Sequence, residues 1–187
     1  MGFHYRRNQG NNWSSDEGSS FPYRGQGITF TSLEAAFKAF PDMRYNIDMK
    51  QTDPLIEEVS CKLIRQNNMQ NKVLAASFTH TNNVAFRKVC PEVTTSADQT
   101  ETTIFVFVTF AYPGRTVTPE YKAFEVPIQQ SGIPVVTQNF VNAAHERSLR
   151  VDVWTIDDPR VMKDLVSLGF GAINTERPDP LKQVLGR

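Results

Sequence analysis

A carboxylate and an ammonium group stand two residues apart at Asp48 and Lys50, in the run Tyr45-Asn46-Ile47-Asp48-Met49-Lys50. Side chains alternate along an extended strand, so both project from one face. Such a pair can be a surface ion pair, which contributes little. It can also mark a site, if the strand ends where neighbouring strands end. Glu125 precedes Val126-Pro127 and points toward another strand end, where it could supply an oxygen ligand, bind a hydroxyl or form a structural ion pair. Of the three histidines, His80 follows a strand-like run and could line a mouth, whereas His145 falls within a predicted helix and His4 in an irregular leader. Asp157 and Asp158 are explained as helix caps. Gly25 and Gly27 form no phosphate loop, because neither a G-x-x-x-x-G-K-S/T run nor a strand-flanked G-x-G-x-x-G is present.

The elements that would position these groups alternate. Thr31-x-x-Glu34 reads as a capping box, and Leu33, Ala36, Phe37 and Phe40 form an apolar stripe behind it, so a helix is predicted over 32–40. A strand follows over 45–50. Asp53-Pro54 then offers an N-cap and a first-position proline ahead of Leu55, Ile56, Val59, Leu63 and Ile64. Val73 to Phe78 reads as a strand closed by the polar loop 79–83, and Val84, Ala85 and Val89 as a helix. A strand at 92–97 precedes the run 100–111, where Asp98 and Glu101 favour a helix while the Thr, Ile, Val and Phe content favours a strand. The alternation selects helix. Further strands at 123–127, 151–156 and 170–174 flank helices over 138–149 and from Asp158-Pro159 to Gly169. The expectation is an α/β chain of about six parallel strands with right-handed crossovers, in which chemistry sits at the carboxyl ends. Residues 1–26 lack either period and are expected to be an irregular leader to a domain over 27–187.

Several runs together resemble the glycerophosphodiester phosphodiesterase family. They are Phe21-Pro22-Tyr23-Arg24-Gly25-Gln26-Gly27, Thr31-Ser32-Leu33-Glu34, Asn46-Ile47-Asp48-Met49-Lys50, Ser77-Phe78, Val153-Trp154-Thr155-Ile156 and Gly171-Ala172-Ile173-Asn174-Thr175-Glu176-Arg177-Pro178. Their order and spacing match as well. The resemblance implies a TIM barrel, incomplete here at about six of its eight strands. It implies hydrolysis of glycerophosphodiesters to an alcohol and glycerol 3-phosphate in lipid metabolism. A divalent cation, calcium or magnesium, would be held by carboxylates from three strand ends, with two histidines as acid and base. Asp48 matches the third carboxylate, Lys50 the residue near the phosphate, and Trp154 a pocket residue against the glycerol. A tryptophan at that position can equally be a core side chain between strand and helix. The family's His-Arg-Gly, Glu-x-Asp and His-Asp motifs do not occur in these 187 residues. The expectation is therefore a chain truncated at its start and inactive alone. The alternative is a catalytically silent protein that keeps the phosphate-and-glycerol half of the pocket and binds a ligand or partner.

Composition bounds the rest. Twenty basic side chains balance twenty acidic ones, so no overall field draws the chain to nucleic acid, and any anion site must be local. The longest apolar run, 104–112, is shorter than the roughly 20 residues of a membrane span. Cys61 and Cys90 have no metal-type spacing and are expected to be reduced, packed thiols, which favours a cytoplasmic location. An incomplete barrel would leave two unpaired strand edges, through which the chain is expected to self-associate.

Overall fold

The computed structural model describes residues 6–8, 12–14, 25–27, 31–53, 55–111, 119–130 and 132–187. A hairpin of β1 (Arg6–Asn8) and β2 (Asn12–Ser14) pairs antiparallel within the leader expected to be irregular. Three-residue strands are too short to show the alternation by which a strand is read.

α1 (Leu33–Ala39) is capped by Ser32, whose hydroxyl accepts from the Ala35 N–H at 3.1 Å, one residue later than the expected Thr31. Glu34 pairs with Lys38 rather than closing a capping box. β3 (Tyr45–Asp48) follows, then α2 (Glu57–Gln66). α2 starts beyond the expected Asp53 cap: Ile56 holds the N-cap position without a side-chain bond, and Leu55 and Val59 are exposed. Pro54 lies outside the described residues.

β4 (Val73–Ala76) leads directly into α3 (His80–Val89), so His80 opens a helix instead of sitting in a loop. β5 (Thr94–Thr95) precedes α4 (Gln99–Ala111). Here Asp98 and Glu101 decide the ambiguous run by reciprocal capping: Glu101 N–H donates to Asp98 Oδ1 at 2.9 Å, and Asp98 N–H to Glu101 Oε2 at 3.0 Å. β6 (Ala123–Val126) is followed by a small hairpin, β7 (Gln129–Gln130) and β8 (Ile133–Pro134). The Thr137 hydroxyl then caps α5 (Gln138–His145), shorter than expected. β9 (Arg150–Val153), α6 (Pro159–Ser167), β10 (Ala172–Ile173) and α7 (Pro178–Val184) complete the described elements. Asp158 caps α6 as expected. Asp157 does not cap it, and instead accepts from Thr175 Oγ1 and the Glu176 N–H, fastening the exit of β10.

β3, β4 and β5 pair in parallel, as do β6, β9 and β10, and a parallel bridge between Ser96 and Ala123 joins the two sets in chain order. This is the α/β, TIM-barrel-like repeat expected, with the sheet left open among the described residues. Odd positions of β3, with Val73 and Ala75 of β4, face the helices and pack with Phe37, Met49, Ile64 and Phe86. Phe124 and Val151 do the same against Phe105 and Phe140. The alternate positions, Asn46, Asp48, Glu125 and Asp152, are polar and share the opposite face. That face is concave, because the Asn46 amide of β3 donates to the Glu125 carboxylate of β6. In a flat sheet these strands would stand about 14 Å apart.

The same repeat packs α2 beside α3 and brings Cys61 and Cys90 to a Cα separation of 5.7 Å, where they form a disulfide. The expectation of two reduced thiols is thus corrected, and the argument it lent to a cytoplasmic location goes with it. The spacing of the two cysteines does not by itself show that they meet. Among the described residues no helix is long and apolar enough to cross a membrane.

Candidate functional site

Asp48 ends β3, and its Oδ2 lies 3.1 Å from Lys50 Nζ. Between them Met49 turns into the helix-side core and is buried, which leaves the flanking charges on the other face of the strand exit. The exit is fastened from its neighbour. Ser77 Oγ, just past β4, donates to the Met49 carbonyl at 2.8 Å, and Asn82 in the first turn of α3 donates to the carbonyls of Met49 and Gln51 at 3.3 and 3.1 Å. Phe78, next to Ser77 and largely exposed, meets Trp154 edge to face at 5.6 Å between ring centroids. Trp154 follows β9, so these residues stand at the carboxyl ends of three parallel strands, at one end of the sheet. His80 stands at the same end, with its Nδ1 2.7 Å from Asp98 Oδ2.

Deeper on the concave face, Glu125 of β6 sits in register with Asp152 of β9. Burial pushes the Glu125 carboxyl up to about 7, with the negative charges of Asp152 and Asp48 acting in the same direction and the bond from Asn46 only partly opposing. Burial likewise raises Asp152, whose Oδ2 accepts from Arg150 at 2.6 Å. Gly171 makes room for this pair: a Cβ there would come within 2.0 Å of Arg150 Cγ. The structure thus joins Asp48 to Lys50 directly, and sets Trp154 against Phe78 instead of wholly in the core. It gives Glu125 an amide partner, Asn46, rather than a salt bridge, and provides His80 with a carboxylate. His145 ends α5 exposed, and His4 lies outside the described residues. Asp98 and Asp152 were missed by sequence reasoning. Alternation of Asp152 with Val151 and Val153 could have flagged the second, and the D-x-x-E cap the first.

The Glycerophosphoryl diester phosphodiesterase family model matches residues 6–180. The chain belongs to this family. A Mycobacterium tuberculosis protein named "Probable glycerophosphodiester phosphodiesterase 2" is 30% identical over 166 residues, 86% of this chain and 62% of that protein. This chain therefore spans less than two thirds of that relative's length. The glycerophosphoryl diester phosphodiesterase domain of another Mycobacterium tuberculosis protein superposes with a TM-score of 0.71 at 14% identity, over 94% of this chain and 70% of that one. An Oleispira antarctica phosphodiesterase, solved in complex with the product sn-glycerol-3-phosphate, superposes with a TM-score of 0.63 at 15% identity, over 83% and 61%. At these identities the two structures establish a shared fold.

The family is generally metal-dependent, and the described residues fit a divalent cation only in part. Two clusters bring three ligand-type side chains within 4.8 Å of one another, Cys61–Cys90–Glu92 and His80–Asp98–Glu101. The first is a disulfide with no thiolate to offer. In the second, Glu101 is held by the Arg87 fork at 2.5 and 2.9 Å and Asp98 by His80 and the cap. Asp48 belongs to neither, so it presents one carboxylate already beside Lys50, where calcium or magnesium takes about six to eight oxygens, water included.

Proposed function

We propose that this chain supplies the phosphate- and glycerol-binding half of a glycerophosphodiester phosphodiesterase site, whose reaction yields an alcohol and glycerol 3-phosphate in lipid metabolism. The observation that carries the reading is the placement of Asp48 and Lys50 side by side at a strand exit, with the Phe78–Trp154 edge at the same end. Lys50, with 79% of its side chain exposed, is free to swing from Asp48 to a phosphate oxygen. Trp154 offers an apolar face to the glycerol carbons. Asp48 would give one hard oxygen to a calcium or magnesium ion, which supplies charge neutralisation at the phosphodiester when bound.

Hydrolysis needs an acid and a base as well. No residue here matches the two family histidines, and each such group accounts for about a hundred- to ten-thousand-fold in rate. The reading is therefore of a chain that binds without turning over. Calorimetry with glycerol 3-phosphate, with and without calcium or magnesium, is expected to show binding that Lys50→Met weakens. A release assay on glycerophosphocholine is expected to stay at the buffer blank. Turnover that vanishes in Asp48→Ala would show a working enzyme instead, and no binding at all would refute the half-site.

A further inference from the structure

We propose that His80 contacts the phosphate at this mouth through its Nε2, with buried Asp98 as the positioning residue that holds the ring, an inference that rests on the half-site reading above. Asp98 has no exposed side-chain surface, whereas half of the His80 side chain is exposed. Burial pushes Asp98 up, but bonds from the Glu101 N–H and from His80 outweigh it and hold Asp98 below the ordinary aspartate range. An ionised carboxylate only accepts, so the 2.7 Å contact requires the proton on His80 Nδ1. Nε2 is left as the ring's remaining polar atom.

The support behind Asp98 is rigid. Its Oδ1 accepts from the Glu101 N–H, and Glu101 is gripped by both terminal nitrogens of Arg87. Arg87 also donates to Thr95 Oγ1 at 2.8 Å and to the Ser96 carbonyl at 3.2 Å. These bonds tie α3, β5 and α4 together without His80, whose exposed ring adds little to the core. What His80 gains is a fixed direction at the carboxyl ends of the strands. It lies three residues past Ser77, whose hydroxyl holds the Met49 carbonyl between Asp48 and Lys50. It also opens α3, whose first turn favours an anion.

The protons balance simply. A neutral ring takes one proton from solvent onto Nε2, that N–H donates to a phosphate oxygen, and the Nδ1 proton stays with Asp98. Asp98, just before α4, is the charged group paired with the ring, and behind it Glu101 of α4 pairs with Arg87 of α3.

Nuclear magnetic resonance of the full chain, uniformly labelled with nitrogen-15, tests this during titration with glycerol 3-phosphate. The free chain is expected to show His80 as the Nδ1–H tautomer, and the ligand to shift His80 Nε2 while leaving His145 still. Asp98→Asn, which offers an N–H toward the ring, should switch the tautomer, and His80→Gln should weaken binding about tenfold. Ligand-induced shifts at Asp48 and Lys50 with a silent His80 would overturn this inference alone. No response anywhere would overturn the half-site reading and this inference together. If His80→Gln does not fold, the wild-type Nε2 shift decides.

Discussion

The Asn46 amide donates to the Glu125 carboxylate across the concave face, joining β3 to β6 over two intervening strands. That contact exists because the sheet curls, and the curl buries Glu125 among other carboxylates. A proton held to about 7 in the folded chain, against an ordinary value of 4.5, is lost earlier by the unfolded chain. Between those values the folded state binds more protons, so stability falls as pH rises. Asp152, raised by burial, acts in the same sense, while Asp98 and Asp158 are lowered and act only at lower pH. Thermal melts at about pH 5 and about pH 8 are expected to show the lower midpoint at the higher pH. Glu125→Gln keeps an oxygen for Asn46, and should flatten that slope and gain about 1–2 kcal/mol at the higher pH.

Cys61 and Cys90 close a loop with a sequence separation of 29 between α2 and α3. A crosslink of that span restricts the unfolded chain and contributes about 3–4 kcal/mol. Melting with reductant, or of the Cys61→Ser and Cys90→Ser double variant, should fall by about 10 °C. Equal melting curves, with both thiols shown free by alkylation and mass measurement, would argue against a stabilising crosslink.

Lys50 and Trp154 are assigned to different parts of one ligand, and their variants should separate. Lys50→Met is expected to weaken binding of glycerol 3-phosphate and inorganic phosphate alike. Trp154→Ala should weaken the first by about two- to tenfold and spare the second, since only the glycerol carbons would meet the ring. Equal losses for both ligands would place Trp154 in the core role that its sequence position also allowed.

Among the described residues β3 and β10 each have one strand neighbour, so each presents an open edge. Open edges recruit other strands. We expect light scattering to show self-association of the isolated chain. A monodisperse monomer that melts cooperatively above about 65 °C would contradict this.

The order of strands and helices was determined by the sequence itself, because periodicity and capping are local. Alternation placed Asp48 and Lys50 on one face, and Asp158-Pro159 with Gly169 bounded α6. Two- and three-residue strands such as β7 and β1 escaped because they are shorter than the period that would mark them. Tertiary structure alone decided which distant groups meet. The Asn46–Glu125 contact spans 79 positions, the Cys61–Cys90 crosslink 29 and the His80–Asp98 pair 18. No local pattern encodes such meetings: they follow from the curvature of the parallel sheet and the packing of successive helices on its outer face, which bring βα units into contact only once the chain has folded.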